Sequence, residues 1–211
     1  MITTTPSEAL NVTATSEEPA GWSPAVRFSI QIHNLPHHTL RAEGVKAIDM
    51  GTLEVTSGRI LAIDATRSRV EPLVQIAPKV SAQVTAYMED DCIGSVAIEF
   101  DPFRLAPERW RLAERCGGYE RFHWVIPIDS GWAVIADAYN HPRIREWMHA
   151  NLSDVARCSC ARKFLDLSEE LGFSAFLVAT GYGDGLYPSF WGYDSDGEVQ
   201  KLILDFGMWP S

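Results

Sequence analysis

Between Val80 and Phe100 two period-two segments flank an acidic turn, and few architectures other than a sheet accommodate them. Val80, Val84 and Met88 alternate with Ser81, Gln83, Thr85 and Glu89, the spacing of a strand with one buried face. Glu89-Asp90-Asp91 is a polar turn, and Ile93–Phe100 returns as the next strand. The same alternation occurs at Val26, Phe28, Ile30 and Ile32, which predicts a strand ended by Asn34-Leu35-Pro36. Gly51–Asp64 reads as two short strands around Ser57-Gly58, with Gly58 free to take the positive φ of a tight hairpin. Apolar stretches stay short. The longest, Trp132–Ala136 and Ala175–Ala179, are far below the ~20 residues that span a bilayer, so no membrane partner is expected.

Helical patterns occupy the middle of the chain. Pro107 suits a first turn, and Glu108–Cys116 carries helix formers up to Gly117-Gly118. Pro142–Asn151 places Ile144, Trp147 and Met148 on one face, and Ser153–Leu167 reads as a second helix with Ser153 as its N-cap. Beyond them, Phe173–Thr180, Tyr187–Tyr193 and Val199–Phe206 read as strands, the last two around the turn Asp194-Ser195-Asp196-Gly197. Strands, then helices, then strands predict an α+β fold: a mostly antiparallel β-sheet with a few helices between the N- and C-terminal strand groups. No internal repeat of useful length is expected. Residues 1–24 hold three acids and no base and read as a flexible N-terminal tail, leaving 25–211 as a single domain.

Charge and cysteines narrow the partners. Eighteen Lys and Arg stand against 28 Asp and Glu, a net charge of −10. The basic clusters, Arg104–Arg115 and Arg157–Lys163, are interleaved with acids, so nucleic acid is not an expected partner, whereas a basic protein is. Cys92, Cys116, Cys158 and Cys160 form no C-x-x-C pair. They read as reduced thiols of a cytoplasmic protein, an expectation supported by a first segment without a basic, apolar leader pattern.

The most specific segment is Gly181-Tyr182-Gly183-Asp184-Gly185-Leu186-Tyr187-Pro188-Ser189-Phe190-Trp191-Gly192-Tyr193-Asp194-Ser195-Asp196-Gly197-Glu198, followed by Leu202–Phe206. It resembles the C-terminal signature of a bacterial domain-of-unknown-function family, 4241. Upstream blocks extend the resemblance: Gly51-x-Leu53 and Ser57-Gly58 through Asp64, Val96–Phe100, Trp110-x-x-Ala113, and Val125 through Asp129-Ser130-Gly131 to Asp137. Members often carry a proline where Ala65 stands, and Val-Tyr where Ser189-Phe190 stand. The resemblance implies how far the domain extends and brings no catalytic residue with it.

Physically, three glycines around Asp184 predict a loop with positive-φ residues and Asp184 accepting backbone N–H groups. A β-branched residue at Gly183 is expected to disrupt the fold. Pro188 is expected to open the following strand. Asp184, Asp194, Asp196 and Asp205 are candidates to gather at one end of the ribbon, with Asp129 as a further carboxylate. Their spacing matches no metal loop, so no metal or other cofactor is expected. Tyr187, Trp191 and Tyr193 share a strand face that is either core or an aromatic binding strip. The candidate binding residues are therefore Tyr182, Asp184, Tyr187, Trp191, Asp194, Asp205 and Asp129. Three functions remain in view. The first is a non-catalytic protein that binds a macromolecular partner, as toxin-neutralising immunity proteins do. The second is a carboxylate- or metal-dependent hydrolase using the Asp184 loop. The third is a small-molecule sensor.

Overall fold

The computed structural model describes residues 44–67, 72–102, 106–115, 125–157, 163–181 and 183–207. The strand expected at 26–32 and the tail at 1–24 lie outside them, as do Cys116, Cys158, Cys160 and Tyr182.

Eleven strands and two α-helices, the first preceded by a 3-10 turn at Ala138–Asn140, follow one another among these residues. They are β1 (Lys46–Glu54), β2 (Ile60–Asp64), β3 (Ser81–Glu89), β4 (Cys92–Glu99), β5 (Arg109–Leu112), β6 (Val125–Ile128), β7 (Trp132–Asp137), α1 (His141–Arg157), β8 (Phe164–Asp166), α2 (Ser168–Leu171), β9 (Ala175–Ala179), β10 (Gly185–Tyr193) and β11 (Val199–Asp205). The larger sheet runs β1-β3-β4-β11-β10-β5, with β6 also on β10; the smaller runs β2-β7-β9-β8. All these ladders are antiparallel. The chain is thus mostly antiparallel sheet with few helices.

The two sheets share one core. Leu53, Val84, Val96, Leu202 and Trp191 of the larger meet Ile60, Ala62, Ile135, Phe176 and Val178 of the smaller. The opposite face of the smaller sheet is covered as well: Leu61, Ile63, Val134 and Leu177 cluster with Ile144 and Met148 of α1 and Leu171 of α2. Burial on both faces explains why β7 and β9 read as continuous apolar runs rather than as alternation.

Both long hairpins form as expected. At the β3–β4 tip Asp90 and Asp91 have φ of 46° and 65°, the paired left-handed residues of a type I′ turn. An L side chain in that region costs roughly 1–2 kcal/mol, somewhat less for Asp. Asp91→Gly is therefore expected to stabilise by about 1 kcal/mol, which calorimetry would read as a Tm rise of roughly 2–4 °C.

Other expectations change. Arg109–Leu112 is not helical but an edge strand paired with Tyr193–Phe190, because Trp110 drives it onto Phe190 and Ile203. Helix α1 runs through Ser153, and Phe164–Asp166 is a strand rather than the end of a second helix. Pro188 sits inside β10, not at its start. It is tolerated where neighbours change: β6 pairs residues 185–188, β5 pairs 190–193, and the β11 ladder begins at Ser189. Ser57-Gly58 is no hairpin. It is a corner, since β1 pairs with β3 in one sheet and β2 with β7 in the other.

Candidate functional site

That corner has a twin. Asp129-Ser130-Gly131 carries the chain from β6, in the larger sheet, to β7, in the smaller. Gly58 and Gly131 take φ of 75° and 74°. In each turn the serine Oγ accepts the N–H two residues on at 3.1 Å, from Arg59 or Trp132, and donates to the carbonyl of that same residue at 3.2 Å. Each adjoining strand then ends in a fully buried aspartate, Asp64 or Asp137. The antiparallel pairing of β2 with β7 brings each aspartate to the other's corner.

Asp64 accepts the N–H groups of Asp129 and Ser130 at 2.6 and 2.7 Å, and that of Thr66 at 2.6 Å. Asp137 accepts the N–H groups of Thr56, Ser57 (2.7 Å) and Tyr139 (2.8 Å) and the Thr56 hydroxyl (3.0 Å). The residues after them complete the match: Ala65 N–H donates to Trp132 O and Ala138 N–H to Arg59 O, both at 2.9 Å. Burial pushes both carboxyls up, but the converging donors more than offset it and hold both below the ordinary 3.8. The pair is absent from the expected site residues. Its signal is a short repeat: Ser57-Gly-Arg-Ile-Leu-Ala-Ile-Asp64 against Ser130-Gly-Trp-Ala-Val-Ile-Ala-Asp137.

The expected site residues are dispersed. Tyr187 and Trp191 face the core, Tyr187 edge-on to Phe206 and Trp191 stacked on Phe100. Burial, with the charge of Asp184 added, pushes the Tyr187 phenol up against the hydrogen bond from Thr180. Asp194 holds its own turn, accepting the N–H groups of Asp196 (3.0 Å) and Glu198 (2.9 Å) and the Gln200 amide (2.8 Å). Asp205 is buried and accepts the Gly207 N–H. Asp194 and Asp196 lie at the turn of the β10–β11 ribbon while Asp184 and Asp205 lie at its other end, separated by on the order of 25 Å of strand. The four therefore do not gather. Among the described residues no three His, Cys, Asp or Glu are placed to hold a metal ion.

The Asp184 loop is tight, but Asp184 itself is exposed. The loop is closed by Gly183, whose N–H donates to Thr180 O and whose carbonyl accepts from Thr180 Oγ1 (2.5 Å) and Tyr187 Oη (3.1 Å). Of the glycines flanking Asp184, only Gly183 has a positive φ, 84°. A Cβ there would meet nothing within 4 Å, so backbone strain alone opposes a side chain. Gly183→Val is expected to fold and to lose about 1–2 kcal/mol in a urea titration, not to lose the fold. The structure does bring the Asp129 and Asp184 loops together: Thr180 N–H donates to Gly131 O at 3.0 Å, and Gly183 Cα lies 3.4 Å from where a Gly131 Cβ would stand.

Among the described residues the most exposed apolar stretch lies elsewhere, in the segment before β3. Val74, Ile76 and Val80 are 43%, 63% and 38% exposed, and Leu112 of β5 is 39% exposed. The segment is pinned. Val74 N–H donates to Glu114 O (2.7 Å), Ala77 N–H to Gly58 O (2.8 Å) and Val55 N–H to Val80 O (3.0 Å), while Arg59 Nη1 reaches Val74 O at 3.0 Å. Its Gln75 accepts from Tyr193 Oη, and Arg111 lies over the Tyr193 ring. This ridge of apolar side chains on a held backbone, with exposed Lys79 within it and Tyr193 and Arg111 beside it, mixes the residue types found at protein-binding surfaces.

No helix among the described residues is long and apolar enough to cross a membrane. A family model described as "Protein of unknown function (DUF4241)" matches residues 53–204. No curated protein and no solved structure matches the chain.

Proposed function

The chain belongs to the DUF4241 family, and we propose that this member is a non-catalytic binding protein that acts on a macromolecular partner, in the manner of a toxin-neutralising immunity protein. The observation that carries this reading is the pinned ridge Val74–Ile76–Val80. Apolar side chains fixed in water by backbone hydrogen bonds gain free energy when a partner covers them, with little further ordering cost. A net charge of −10 favours a basic protein and speeds its approach, and the cytoplasm is where such a partner would be met. On this reading the α+β scaffold, with helices confined to one side of the smaller sheet, serves to present the ridge. The carboxylates fit the same view: Asp64, Asp137, Asp194 and Asp205 hold turns, the task for which their donors are arranged.

A photo-crosslinking residue at position 76, irradiated in the native host, is expected to yield one discrete heavier adduct that Val74→Asp weakens. The same residue at Tyr139, which is 78% exposed outside the ridge, is expected to yield none. Equal labelling at both positions, or no adduct at 76, would overturn the proposal. The hydrolase reading retains one supporting observation, the contact between the loops that carry Asp129 and Asp184. A divalent-metal shift in Tm that disappears in Asp184→Asn would favour it instead.

A further inference from the structure

We propose that the cleft between the loop after β2 and helix α1 binds a small organic anion, a carboxylate or phosphate monoester attached to an apolar body. The cleft measures about 500 Å³, within the ~300–1,000 Å³ typical of small-molecule sites. Its apolar part is Ala65 and Met148, both buried. Its polar walls are Arg67 from the loop and Arg145 and His149 from the helix. The last two are four residues apart and so share one helical face. Glu146 is the acid lining it. Among the described residues two guanidiniums and an imidazole stand here with two carboxylates, Glu146 and, on Arg67, Asp129, a local concentration of cationic side chains on a chain of net charge −10.

The backbones that carry both walls are held before any ligand arrives. The Arg67 N–H donates to Asp64 O at 3.2 Å, and the neighbouring Thr66 is held by the Asp64 carboxylate through its N–H and hydroxyl. Helix α1 is anchored by Ile144 and Met148 in the core beneath. A carboxylate already approaches this guanidinium: Asp129 Oδ2 lies 3.4 Å from Arg67 Nη2, and the Asp129 side chain is 73% exposed. Asp129 thus shows that Arg67 presents itself to an oxyanion, and it competes with any ligand for it. Arginine pairs suit planar or tetrahedral oxyanions, and the Ala65–Met148 floor suits an apolar body.

The inference does not depend on the partner reading above, because the ridge and the cleft share no residue. Calorimetric titration with phenyl phosphate, benzoate, inorganic phosphate and benzyl alcohol tests it. Phenyl phosphate or benzoate is expected to saturate one site, inorganic phosphate to bind more weakly, and neutral benzyl alcohol not to bind. Arg145→Gln and Arg67→Gln are each expected to weaken binding about tenfold. Asp129→Asn and Glu146→Gln, which remove competing or opposing charge, are expected to tighten it. All four positions are at least partly exposed, so thermal melts of the variants are expected to match the parent. Failure of both aromatic anions to saturate by about 10 mM, a millimolar Kd being the practical floor of specific binding, would overturn the proposal. So would weakening by Asp129→Asn, or arginine variants that bind as the parent does.

Discussion

Asp137→Ala is expected to lower stability by about 3–5 kcal/mol, because it strands several buried donors at once and each unsatisfied one costs about 1–3 kcal/mol. The N–H groups of Thr56, Ser57 and Tyr139 all end on this carboxylate, and the side chain is buried in a corner that joins two sheets. Urea titration would measure the loss. Asp137→Asn keeps the shape but turns one acceptor into a donor aimed at N–H groups, so it is expected to recover only part of it. The pH dependence follows. Both carboxyls titrate below 3.8 in the fold. A carboxyl depressed by folding contributes stability that is complete above its unfolded pKa and drains away as pH falls through the folded one. Stability is expected to be level down to about pH 5 and to fall below about pH 4, where unfolding lets this pair take up protons. The contribution of Asp137 to that dependence should vanish in Asp137→Asn. An unchanged acid limb would show that the clasp is not what acid breaks.

Trp191→Ala is expected to cost about 3–5 kcal/mol, the range for emptying a buried aromatic site. Trp191 is 1% exposed and stacks on Phe100 with ring centroids 6.0 Å apart. Its indole N–H has no hydrogen-bond partner among the described residues. Trp191→Phe therefore removes a stranded donor together with some volume, and it is expected to cost far less than Trp191→Ala. That contrast separates a packing role from the aromatic binding strip considered from the sequence. If Trp191→Phe were as damaging as Trp191→Ala, the indole nitrogen would be doing something that packing does not describe.

What could be read in advance follows the range of the forces involved. The β3–β4 and β10–β11 ribbons are local: their turns, Asp90-Asp91 and Asp194–Gly197, carry the residues that such backbones require. Arg109–Leu112 misleads because Arg and Leu favour helices when isolated, while its fate is set by Trp110 meeting Phe190 and Ile203 from distant parts of the chain. Ser57-Gly58 misleads differently. Its turn chemistry is read correctly, but whether a turn closes a hairpin or rounds a corner depends on which strands claim its flanks, and β3 and β7 are remote in sequence. The site suffers from the same blindness. Asp184 and Asp129 stand out as loop acids, and their loops do meet, yet Asp64 and Asp137 look like strand ends until the eight-residue repeat is laid against itself. Arg67, Arg145 and His149 carry no shared motif, because a cleft wall drawn from a loop and a helix leaves no spacing to recognise.

The exchanged aspartates carry a further consequence. The first corner receives its carboxylate from 80 positions downstream and the second from 65 positions upstream, and the tip at Asp90-Asp91 lies between the two aspartates. A polypeptide severed at that tip would leave one fragment with the first corner and Asp64, and another with the second corner and Asp137. Neither fragment can satisfy its own bend, and each holds what the other lacks. Such halves are natural complements, a built-in split pair whose reunion restores both corners together.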